Sequence, residues 1–113
     1  FRSGQYFQNL YTTNGSNMFG SLAITTSTWY HLGFTISGGN MQMYLNGIPD
    51  GLLRTNAART NTTNGILLLG DSRAGTLTFN GKIGTVNIYN RAINQEEVFQ
   101  NFNVTKHRYG FVN

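Results

Sequence analysis

Apolar residues along this chain recur mostly at every second position, in short rows broken by glycine-containing turns. Tyr30, Leu32, Phe34 and Ile36 form one row, and Met41, Met43 and Leu45 form the next. Alternation with period two puts each row on one face of a strand. Gly38-Gly39-Asn40 lies between them, and glycine tolerates the positive φ that a tight hairpin turn needs. The two rows are therefore predicted to form an antiparallel hairpin. Asn-Gly pairs at 14–15, 46–47, 64–65 and 80–81 are further turn signals of the same kind.

Later in the chain, Leu77, Phe79 and Ile83 make another apolar row, and Val86 and Ile88 continue it in the opposite phase. A strand cannot change phase without a bend or bulge, and Gly81 and Gly84 stand where one would go. The continuously apolar run 66–69 predicts a strand buried on both faces. Residues 52–64, rich in Thr, Asn, Ala and Arg without a period, predict a long surface loop. One helix is expected after Asn94, a good N-cap with Glu97 three positions on. Val98, Phe99 and Phe102 give that helix an apolar stripe.

Composition agrees with many short strands. The chain has 113 residues, enough for a single domain, with 39% hydrophobic and only 11% charged residues and 14 glycines. There is no cysteine, which excludes disulfides and thiolate metal sites. No apolar run approaches the ~20 residues of a membrane span, and no signal peptide is visible. Phe1 rather than Met opens the chain, so the expected start of the gene product is missing or processed. The net charge is +4, but the basic residues are scattered apart from Lys106-His107-Arg108. That is not the basic stripe interleaved with aromatics of a nucleic-acid site, and no nucleic-acid partner is expected.

Several short motifs, in order, resemble one family. Trp29-Tyr30-His31-Leu32 resembles the W-x-H strand of laminin-G-like and concanavalin A-like domains. Met43-Tyr44-Leu45-Asn46-Gly47 is similar to their Y-x-N-G hairpin, and Leu67-Leu68-Leu69-Gly70 to a later strand. Phe79-Asn80-Gly81-Lys82-Ile83, then 86–93, resembles their closing signature, with Glu96-Glu97-Val98 after it. Gly84-Thr85 departs from the pattern, which often has Asp-Glu there. The resemblance is closest over 29–98, with the helix and tail at 94–113. It implies an all-β, antiparallel two-sheet jelly-roll sandwich with one short C-terminal helix. It covers roughly the last two thirds of such a domain, so either the domain is reduced at its N-terminal side or the chain is a piece of a longer protein. The tail, through Asn101, Asn103, Lys106, Arg108, Tyr109 and Gly110, also resembles the end of lectin-like domains in phage structural proteins. That implies a virion or extracellular surface.

Enzymatic chemistry is not expected. The family's glucanases need two facing carboxylates, whereas this chain has only Asp50, Asp71, Glu96 and Glu97, none spaced i, i+2. His31 and His107 lack a nucleophile and an orienting acid, and His31 is read as a structural, hydrogen-bonding histidine. No cofactor is expected. Asp50 and Asp71 are weak calcium candidates, with turn chemistry as the competing role. For sugars, the candidate ligand-binding residues are Tyr44, Asn46, Arg73 and Tyr89, with Tyr11 and the 52–64 loop beside them. Alternation points Tyr44 away from the methionine row, where it could be exposed, or could instead fill a second packed face. The expected function is a lectin-like recognition or structural module binding glycans or neighbouring subunits. The alternatives are a purely structural decoration or tail domain and a degenerate glucanase.

Overall fold

A computed structural model describes residues 5–9, 17–55, 67–71 and 78–112. They fall into two compact units, Phe1–Thr60 with Arg91–Asn113, and Asn61–Asn90.

In the first unit, strands β1 (Gln5–Asn9) and β2 (Asn17–Ala23) pair antiparallel as a two-stranded sheet. Strands β3 (Leu32–Ser37), β4 (Asn40–Leu45) and β5 (Ile48–Arg54) form a three-stranded antiparallel sheet in that order. The predicted hairpin is present. Ser37 pairs with Asn40 across Gly38 and Gly39, whose φ of 54° and 85° match a turn with both central residues left-handed. Asn46 and Gly47, at φ 52° and 82°, turn β4 into β5 in the same way. The ladder slips between Met41 and Met43, where Gly51 of β5 takes φ 77° and extra residues bulge out. Residues 52–54, expected in a loop, continue β5, because the bulge absorbs the break in alternation and lets pairing resume at Arg54.

Directly paired residues share a face, so Leu32, Phe34 and Ile36 line up with Leu45, Met43 and Met41. Met41, Met43 and Leu45 are the buried core of this face, with Ile24, Tyr30 and Ile36 packed against them. The Tyr30 hydroxyl accepts from Thr25 N–H at 3.1 Å and bonds its hydroxyl at 2.9 Å, which holds the exposed turn between residues 25 and 30.

The predicted helix forms as α1 (Gln95–Thr105), followed by a 3-10 turn, Lys106–Tyr109. Its start is a complete capping box. Asn94 Oδ1 accepts from Glu97 N–H at 2.9 Å, and Glu97 Oε2 accepts from Asn94 N–H at 2.8 Å. Arg91 donates to both Glu97 oxygens, at 2.9 and 2.7 Å. The buried Val98 faces the other side of the three-stranded sheet: a carbon added to Gly33 would lie 4.0 Å from Val98 and 3.7 Å from Tyr44.

The second unit departs from expectation. Residues 67–69 form no strand and Leu67, Leu68 and Leu69 are exposed; 78–90 form no strand either. Phe79 N–H instead donates to Gly70 O at 2.7 Å, and the Phe79 ring folds back against Gly81. Glycines at 70, 81 and 84 interrupt the rows closely enough that local contacts replace a ladder. The turn signals at 14–15 and 64–65, together with Leu77 and most of the 52–64 segment, lie outside the described residues.

Candidate functional site

The face of the three-stranded sheet opposite the methionine core has two parts. One end lies under α1. The other is an open depression of about 370 Å³, lined by Thr35, Ser37, Asn40, Gln42, Tyr44 and Pro49 on the sheet, with Gly38, Leu53 and Gln95 at its edges. Register explains the lining: Ser37 pairs with Asn40, Thr35 with Gln42 and Tyr44 with Pro49, so all six project to one side. The size falls within the range of small-ligand sites. No lining residue is charged.

Gln42 is held by main chain. Its Nε2 donates to Met43 O at 2.9 Å and, more weakly, to Asp50 O at 3.4 Å. Tyr44 is only 5% exposed, so it offers no open ring face for stacking on a sugar. Its Cβ and Cδ2 lie beside Gly33, as Cγ1 of Val98 in α1 does.

Asn46 is tied to the main chain of His31. Its Oδ1 accepts from His31 N–H at 3.0 Å, and its own N–H donates to His31 O at 2.8 Å. This pair ties the β4–β5 turn to the start of β3. Gly47 beside it is buried against α1: an added carbon would meet Phe99 Cδ2 at 3.0 Å and Phe102 Cβ at 3.1 Å. The His31 ring lies 5.7 Å from that of Phe102, and Phe102 meets Phe111 edge-on at 5.1 Å. Trp29 packs on Tyr109 at 4.7 Å. The W-x-H and N-G motifs and the C-terminal tail thus form one aromatic clasp. Among the described residues the hydrogen bonds of His31 run through its backbone. Its Nδ1 is buried without a partner among the described residues, and desolvation holds its pKa below the usual 6.5.

Tyr89 is 48% exposed in the second unit, whereas Tyr44 and Asn46 belong to the first. Arg73 and Tyr11 lie outside the described residues. Asp50 is buried in β5 on the Met43 side of the sheet, away from the depression, and Asp71 is exposed in the second unit. Among the described residues no three His, Asp or Glu cluster as metal ligands. Glu97 is committed to Arg91 and the helix cap, which hold its carboxyl at about 2, below the usual 4.5. No described helix is long and apolar enough to cross a membrane.

Sequence reasoning missed Thr35, Ser37, Asn40 and Gln42. The signal was available: the hairpin register that aligns the apolar rows also aligns these four on the other face.

Residues 1–99 match the laminin-G-type family described as the Concanavalin A-like lectin/glucanases superfamily. Among solved structures the chain is similar to an S-layer domain-containing protein from Clostridium thermocellum ATCC 27405, with 22% identity and a TM-score of 0.59. The match covers 77% of this chain and 45% of that one, so this chain spans less than half the length of its neighbour. At that identity the likeness concerns the fold alone. No curated protein matches the chain. A family match over most of its length, on an antiparallel sheet closed by a C-terminal helix, shows that the chain belongs to the concanavalin A-like lectin/glucanase superfamily.

Proposed function

We propose that this chain is a non-enzymatic recognition module whose neutral sheet face binds glycans. The observation that carries the reading is the depression over β3–β5, floored by Thr35, Ser37, Asn40 and Gln42 with no charged side chain in its lining. Neutral hydroxyls and amides pair with sugar hydroxyls without the desolvation cost of a buried charge. No carboxylate lines the depression, so it lacks the two facing acids that glycoside hydrolysis needs. A calcium ion has no part in this reading. Completion of the fold as a two-sheet jelly roll is part of the same proposal, supported by the family match. A virion or extracellular surface is its proposed location, supported by the tail motif and by the S-layer name of the structural neighbour.

A second reading, a structural module contacting neighbouring subunits, is favoured by the exposure of Leu32, Phe34 and Ile48 on the core face. The experiment that decides is a glycan array probed with the folded protein in calcium and in chelator. Selective binding in both conditions is the expected result. Silence in both, from protein with a cooperative unfolding transition, refutes the glycan reading and leaves the subunit-contact one.

A further inference from the structure

The geometry points to Gln42 as the residue that sets hydrogen-bond polarity in this depression, a fixed acceptor that selects ligands donating a hydroxyl to it. The inference rests on the glycan reading above and deepens it. A free glutamine can turn its amide either way and so accept or donate. Here the choice is removed. Its terminal nitrogen donates to the carbonyl oxygens of Met43, at 2.9 Å, and Asp50, at 3.4 Å. Both are acceptors, so only the NH2 end can face them. Flipping the amide would set oxygen against oxygen and forfeit both bonds.

Both Nε2 donors are therefore directed into the sheet. Oε1 remains, and it has no hydrogen-bond partner among the described residues. Gln42 is half-buried and lines the open depression, where Oε1 is the amide atom left to meet a ligand. Gln42 sits between Thr35 and Tyr44 in the lining, on the strand flanked by both neighbours. The Asp50 carbonyl comes from the strand residue just before the Gly51 bulge, so the bulge helps to fix the orientation. A ligand over this face meets an immobile acceptor at its centre and rotatable hydroxyls, from Thr35 and Ser37, at its side. The acceptor demands a donor, while the hydroxyls adapt to either.

The test uses an array of neutral gluco-, galacto-, manno- and xylo-oligosaccharides, with sialylated and sulfated glycans as anionic controls. Monodeoxy and monodeoxyfluoro derivatives of the strongest neutral binder follow, titrated against wild type and Gln42→Met. Fluorine keeps weak acceptor character but removes the donated hydrogen. One hydroxyl position is expected at which the deoxy and deoxyfluoro sugars both lose about three- to tenfold in affinity for wild type. In Gln42→Met the parent sugar loses a similar factor, and the fluoro penalty at that position disappears. If wild type binds but no position shows a donor requirement, or if Gln42→Met keeps both affinity and penalty, the role of Gln42 is refuted and the glycan reading survives. If wild type ignores every neutral glycan, both fall together. Should Gln42→Met fail to fold, Gln42→Leu takes its place in the same comparison, and a wild-type series with no donor requirement refutes the role without either variant.

Discussion

Replacing Gly47 with alanine tests the clasp most directly, because two separable costs fall on one atom. Gly47 has φ 82°, and a left-handed backbone costs a non-glycine residue about 1–2 kcal/mol. The new methyl would stand 3.0 Å from Phe99 Cδ2 and 3.1 Å from both Cβ and Cδ1 of Phe102, inside the 3.5–4.0 Å optimum for carbon pairs. A ring edge can rotate away. Phe102 Cβ cannot move without its helix, so overpacking adds about 1–3 kcal/mol. Gly38→Ala is the internal reference: φ is 54°, but nothing lies within 4 Å of an added carbon. Gly38→Ala should therefore lose about 1–2 kcal/mol, and Gly47→Ala about 2–5 kcal/mol. Urea unfolding followed by fluorescence reads both, since Trp29 is the only tryptophan and sits on Tyr109 in the clasp. Equal losses in the two variants would refute the packing of α1 on the turn.

Two other expectations follow from the same contacts. Glu97 has a folded pKa of about 2 against 4.5 ordinarily, so its stabilising effect is complete above about pH 4.5 and is lost as pH falls toward 2. Thermal melts of Glu97→Gln should show a shallower loss across that window than wild type, and parallel curves would count against the capping box. Asn46→Ala removes the acceptor for His31 N–H and strains a left-handed residue, at a cost of about 2–3 kcal/mol in urea unfolding. A loss of glycan binding at unchanged stability would instead return Asn46 to the ligand site.

The parts legible in the sequence are those decided by neighbours along the chain. The Gly38-Gly39 turn fixes its own hairpin, and Asn94 with Glu97 fixes the start of α1, because each needs only a few adjacent residues. Which sheet face is covered was not legible. Tyr44 is buried while Phe34 is 59% exposed, and that inversion depends on where Val98 lands, a contact across more than fifty positions. The apolar rows of 66–69 and 77–88 name no partner strand, and among the described residues, 67–69 and 78–88, glycines allowed local contacts instead of a ladder. The depression carries little chemical signal in the sequence because its floor is built from the neutral half of the alternation, without the charged residues that mark many sites.

The clasp also closes a long loop of chain. Trp29 and His31 are joined to Phe102, Tyr109 and Phe111, so the ring they close contains the whole unit Asn61–Asn90. Closure entropy grows only logarithmically with length, and doubling a loop costs about 0.6 kcal/mol. The length of chain between Trp29 and Tyr109 therefore has only a weak effect on the entropic cost of closing the clasp.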